Sequence, residues 1–192
     1  MLKLLVAVFC ISTSAFAADA PAEAKKADPV FQEAGYQFVG LNLGLAKPTG
    51  ANFPLTSPRF SYGVDYSYAV LKQLAVGVFA TRDDGAFGQS TGVDFTLTRL
   101  GVEFAFSPTY ESYLSLKAGV GLIEFSTSVL GVTISAKPDT NPLFIAPGAG
   151  IIFPITDRFQ IIPNISYSLF FKNDDINKFQ VFDAGVKGRF QF

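Results

Sequence analysis

Large side chains recur at every second position in eight separate stretches of this chain, and that period is what most limits how it can fold. Successive residues of a strand point to opposite faces, so strict alternation over about ten residues is a strand signal. In 60–70, Phe60, Tyr62, Val64, Tyr66, Tyr68 and Val70 fall on one face, with Ser61, Gly63, Asp65, Ser67 and Ala69 on the other. The same pattern runs through 36–46, 74–81, 100–106, 114–122, 143–153, 159–169 and 182–192. After the first 17 residues no run reaches the roughly 18 consecutive apolar residues of a membrane-spanning helix.

The second face carries mostly Gly, Ala and Ser, where a water-soluble sandwich or barrel would carry Lys, Glu and Thr. Small residues suit the crowded inside of a narrow closed barrel, and a Leu, Val, Phe and Tyr face suits lipid. Closure is also what hydrocarbon demands, because an open sheet edge would leave backbone groups unpaired. The connections alternate in length. Those at 71–73, 107–112 and 154–158 are short, and those at 47–58, 83–90, 126–142 and 171–178 are longer. Short periplasmic turns and long outer loops give that alternation, with both termini on the periplasmic side. The expected fold is all-β: an eight-stranded antiparallel up-and-down transmembrane β-barrel. A soluble lipocalin-like barrel is the structural competitor.

Composition agrees. Of 192 residues 49% are hydrophobic and 16% charged, the formal net charge is −1, and there is no His. Near-neutral charge does not fit a nucleic-acid binder. Lack of His excludes Ser-His-Asp, Cys-His and His-zinc chemistry, so an enzyme is not expected and neither is a cofactor. Residues 1–17 read as a cleaved signal peptide: Lys3, an apolar core over 4–11, then Ala15-Phe16-Ala17. Cys10 sits inside that core after Phe9, which is a poor lipid-attachment site. Residues 18–35, rich in Ala, Pro, Glu and Lys, read as a periplasmic N-terminal tether. The barrel is expected over 36–192, in the outer membrane of a Gram-negative cell envelope.

Four stretches carry a resemblance: YQFVGLNLGLAKP at 36–48, SLKAGVGLIEF at 115–125, IAPGAGIIFPITDRFQIIPNISYSL at 145–169 and FDAGVKGRFQF at 182–192. They resemble the small outer-membrane β-barrel family that includes the OmpA transmembrane domain and OmpX. The resemblance spans essentially the whole mature chain and implies a bare barrel. It also implies a terminal aromatic signal for the barrel assembly machinery, carried here by Phe190 and Phe192, with Gly188 departing from the apolar residue often found there.

Parity places charge on the inward face: Asp65, Glu103 and Asp183 with Arg99, Lys117, Lys187 and Arg189. Charges kept from lipid either line a path for solutes or neutralise one another in a barrel too narrow for water. The neutralised plug is the preferred reading, and a catalytic carboxylate set is disfavoured among so many cations. Tyr36, Phe38, Phe79 and Ile162 are expected inside as packing. Tyr62, Tyr68, Tyr113, Phe153, Phe159 and Phe192 are candidates for interfacial girdles. In the fourth strand Val93, Phe95 and Leu97 have the parity opposite to Leu100, Val102 and Phe104, which a bulge near Thr98 or Arg99 would repair. Segment 126–142 is expected to project as a hairpin turning at Leu130-Gly131. Outer loops 47–58 and 126–142 are the candidate surfaces for a ligand. The Gly119-x-Gly121 and Gly148-x-Gly150 pairs lie on strands and make no dinucleotide loop, and Asn164-Ile-Ser166 is no glycosylation site inside a strand.

Overall fold

The computed structural model describes residues 34–49, 57–86, 93–129, 132–137, 141–171 and 179–192. The expected signal segment and nearly all of the tether lie outside the described residues. The described residues form ten strands: β1 (Gln37–Thr49), β2 (Arg59–Leu71), β3 (Leu74–Ala86), β4 (Val93–Phe106), β5 (Ser112–Val129), β6 (Val132–Ala136), β7 (Leu143–Ile151), β8 (Phe153–Pro154), β9 (Phe159–Phe170) and β10 (Gln180–Gln191). They make one antiparallel sheet in which β10 pairs with both β1 and β9, so the sheet closes on itself. β8 continues β7 along β9, and among the described residues β6 pairs only with β5, leaving eight staves in the wall. This is the expected eight-stranded antiparallel transmembrane barrel.

Alternation sorts the side chains as the sequence reading requires. Leu41, Leu43, Val64, Val78, Leu116, Ile165 and Val186 are exposed on the outside. At outward positions with described side chains, β1 to β5 carry charge only at the outer rim, on Lys47, Arg82, Asp84 and Glu124. Such an apolar wall is far larger than the patch a soluble monomer shows, and a bilayer covers it. Inward glycines let the staves and lumen groups approach. A Cβ on Gly101 would lie 2.1 Å from the Ala118 carbonyl oxygen, and one on Gly119 2.0 Å from that of Leu100.

The strands run further outward than the alternation alone marked. β3 continues to Ala86 and β2 begins at Arg59, which makes Asp83, expected in the 83–90 loop, and Arg59, expected in no strand, buried lumen residues. The expected hairpin is present, with β6 pairing β5 from Phe125↔Ala136 to Val129↔Val132.

The expected bulge near Thr98 or Arg99 is absent. β4 pairs with β3 and β5 through that region without a shift in register. Leu97 instead points inward and is fully buried, packed with Phe79, Ile123 and Phe144. The parity change reflects the inward face of β4, which passes from Glu103 and Arg99 to the apolar Leu97 opposite Asp83. Register shifts occur elsewhere, at Arg59/Phe60 and Ala69/Leu71.

Candidate functional site

The lumen is filled in layers. At the periplasmic end Phe38, Ala69, Ala75, Ala105, Tyr113, Ile152 and Ile162 form one buried apolar cluster, with Tyr36 packed on it. At the outer end Ala46, Phe79, Leu97, Ile123, Phe144, Ala146, Phe170, Phe179 and Val181 form another. Its rings interlock: Phe170 stacks on Phe179 at 4.2 Å between centroids and lies 5.1 Å from Phe144. Gly121 makes room here, since a Cβ would come within 2.5 Å of the Phe170 ring.

Two charge groups share the lumen with these clusters, with Asp83 opposite Leu97 and Asp183 opposite Ala46. In the first, Lys187 Nζ lies 3.1 Å from Glu103 Oε2 and 3.3 Å from Asp65 Oδ2, and donates to the Tyr113 hydroxyl at 2.9 Å. Tyr113 in turn donates to Glu103 Oε1, and Asn42 Nδ2 donates to Asp65 Oδ2 at 2.7 Å. The Asp65 carboxylate fills the space a side chain at Gly40 would need, 2.3 Å from that Cβ. Arg189 lies over the Phe38 and Tyr113 rings, 5.1 Å from each centroid. In the second group Arg99 grips Asp183 with both terminal nitrogens, at 2.7 and 2.6 Å, and donates to Asp83 and Ser168 at 2.9 Å each.

Each group pairs one cation with two carboxylates and so holds an excess negative charge. Lys117, Arg189 and the buried Arg59 are the other inward cations. Lys117 faces Glu103 across the β4–β5 ladder and its Nζ sits 5.1 Å over the Phe79 ring. Coulomb attraction in a low dielectric acts beyond hydrogen-bond reach, so a nearby ammonium offsets carboxylates it does not touch. Lys117 also borders a cavity of about 40 Å³, shared with Asn42, Ser61, Thr81, Arg99, Phe144, Ser168 and Asp183.

All seven charges singled out from the sequence therefore lie in the lumen: Asp65, Arg99, Glu103, Lys187 and Arg189 are buried, and Asp183 and Lys117 nearly so. Sequence reasoning missed Asp83 and Arg59, although the parity of each matched its own strand's inward face. It also misplaced Tyr113. That residue belongs to no girdle; it is buried against Glu103 and Lys187, because its parity is opposite to Leu114 and Leu116. Tyr62, Tyr68, Phe153 and Phe192 do face outward. Phe190 and Phe192 are exposed, and Phe192 exchanges backbone hydrogen bonds with Gln37 at 3.0 and 3.2 Å where the barrel closes.

The layered, closed wall matches solved structures. Neisserial surface protein A superposes with a TM-score of 0.64 at 17% identity, covering 82% of this chain and 99% of that one. This chain has the fold of the small outer-membrane β-barrels. Ail, the attachment invasion locus protein of Yersinia pestis, gives 0.57 at 19% identity with the same coverage, as does its complex with the heparin analogue sucrose octasulfate. No family model matches the sequence, and no curated protein matches it.

Proposed function

We propose that this is an integral protein of a bacterial outer membrane whose role is structural or surface-interactive, with a lumen closed to solutes. The observation that carries the reading is the filling of the lumen: two charge groups packed among two apolar clusters, with a cavity of about 40 Å³ beside Lys117. Eight staves leave an interior that side chains can fill. A hydrophobic constriction also resists wetting, so ions meet a barrier at the outer end even where the charged layer is polar. In this reading residues 1–17 are removed on export, 18–35 tether the barrel on the periplasmic side, and Phe190 and Phe192 address the assembly machinery. Outer-membrane lipid surrounds the wall.

The working surface is then the outer end, at loops 47–58 and 126–142. Among the described residues β6 pairs with β5 alone, and a projecting strand edge can take up a strand of another protein. Ail has been solved with a sulfated sugar, but the outer half of this chain is not basic. Lys47, Arg82, Lys137, Lys172 and Lys178 are set against Asp84, Asp94, Glu124, Asp139, Asp174 and Asp175. A polyanion therefore finds no net attraction here, and a protein surface is the better match.

The second reading is a narrow channel for small or hydrophobic solutes, favoured by Lys117 beside its cavity. Planar-bilayer conductance of the refolded mature barrel, with Asp65→Ala and Lys117→Ala alongside, decides between them. A silent, folded barrel supports the closed reading. Reproducible steps that shift with either substitution overturn it. For the surface role, replacing 126–142 by a tight turn should abolish attachment of expressing cells to their target.

A further inference from the structure

The inward charges do not cancel. Among the described residues Arg59, Arg99, Lys117, Lys187 and Arg189 face Asp65, Asp83, Glu103 and Asp183, five cations against four carboxylates and a formal excess of one positive charge. Lys117 is the cation left over. Its ladder neighbour Glu103 turns both oxygens to Lys187, at 3.1 and 3.2 Å, and takes the Tyr113 hydroxyl as well. Among the described residues no acceptor lies within hydrogen-bond reach of the Lys117 ammonium, and its Nζ rests 5.1 Å over the Phe79 ring. An ammonium carries N–H donors and no acceptor, so one enclosed in a barrel wall without a partner is costly.

The cavity that Lys117 borders is rich in unspent donors. Thr81, buried in its lining, has a hydroxyl with no hydrogen-bond partner. Ser168, fully buried, accepts from Arg99 Nη1 at 2.9 Å, which leaves its own O–H to give. Asn164 spends one amide N–H on the Ile162 carbonyl at 2.9 Å and keeps the second. Asp183 brings a carboxylate to the same lining, but both terminal nitrogens of Arg99 already hold it and Ser166 donates to it at 3.3 Å. Gly44 and Gly185 stand opposite each other at inward positions of β1 and β10 and keep the space open, since a Cβ on Gly44 would lie 2.7 Å from the Gly185 Cα. We propose that this cavity binds one small monovalent anion, of which chloride is the simplest, between the Lys117 ammonium, the Thr81 and Ser168 hydroxyls and the Asn164 amide. Charge sets the valence, because one monovalent anion cancels the excess and a divalent one such as sulfate overshoots it. Size agrees: a water needs roughly 10–15 Å³ on the same measure, so a cavity of about 40 Å³ takes a chloride with a water or two. The anion completes the neutralisation that the side chains begin.

This inference goes beyond the surface role and does not rest on it. The test refolds the mature chain in detergent micelles, as wild type, Lys117→Met and Thr81→Val, and follows urea unfolding while chloride replaces gluconate at constant ionic strength. A single site present only in the folded barrel should raise the folded-to-unfolded ratio of wild type about tenfold for each tenfold rise in chloride above the dissociation constant. Lys117→Met should lose that dependence, and Thr81→Val should need more chloride to reach it. Crystals of wild type refolded in bromide should show an anomalous peak in the cavity beside Lys117 Nζ and Thr81 Oγ1, a result that requires no variant to fold. Equal stability of wild type in chloride and gluconate, the same chloride dependence in Lys117→Met, or water alone in the cavity of the bromide crystals would overturn the proposal.

Discussion

Arg99 and Asp183, 84 residues apart in sequence, meet in the middle of the barrel through a two-pronged ion pair of 2.6 and 2.7 Å. β4 and β10 are not neighbours in the wall, so this contact crosses the lumen and ties opposite sides together. Arg99 also holds Asp83 from β3, so one guanidinium serves three strands. Removing it strands two carboxylates in the lumen without their cation.

Arg99→Ala should therefore destabilise the refolded barrel by about 3–5 kcal/mol, the usual cost of breaking a buried pair from one side. Urea unfolding in detergent micelles measures it. The double variant Asp83→Asn with Asp183→Asn in the Arg99→Ala background should recover a good part of the loss, because no unpaired carboxylate then remains.

Charge substitutions should not open the lumen. Asp65→Ala and Lys117→Ala leave the outer cluster of Phe79, Phe144, Phe170 and Phe179 in place, and that cluster seals by excluding water. Single-channel recording should find both variants silent, and Phe144→Ser with Phe170→Ser should be the pair that produces conductance. Steps in the charge variants alone would show that the apolar layer is no barrier.

Two glycines of the same chain should behave in opposite ways. Gly101→Ala puts a methyl 2.1 Å from a backbone oxygen that cannot move aside, and should cost about 1–3 kcal/mol or block refolding. Gly188→Ala meets only the Phe159 ring at 3.5 Å and should refold like wild type. Heat-modifiable mobility on gels gives the refolded fraction of each.

Phe192→Ala should separate assembly from stability. The side chain is exposed at the barrel's closing seam, while the hydrogen bonds to Gln37 come from its backbone and survive the substitution. Refolding into micelles should be near normal, and the amount reaching the outer membrane of cells should fall several-fold. Equal losses in both would assign Phe192 a purely structural part.

Binding to immobilised heparin should be no stronger than that of a neutral control barrel, since Arg82 is engaged by Asp84 at 2.9 Å and Lys137 lies 3.5 Å from Glu124. Retention at physiological salt would point instead to a polyanion as the surface ligand.

Much of this architecture could be read from the sequence because its governing period is local. A strand alternates every two residues, so parity alone divides Leu41 and Leu43 from Asn42 and Gly44, and puts Asp65, Glu103 and Lys187 inside before any partner strand is known. The apolar outward face then requires lipid, and lipid requires closure. What parity cannot supply is height and partner. Where a strand ends decides whether Asp83 is a loop residue or the third member of the Arg99 group. The registers around the closed sheet decide that Lys187 reaches Glu103 while Lys117, its direct ladder neighbour, lies over Phe79 instead. Leu97 shows the same limit: its parity looks like a defect until Phe79, Ile123 and Phe144 are placed beside it. Side-chain direction is a property of the chain, whereas contact across a barrel depends on strands brought together from its two ends.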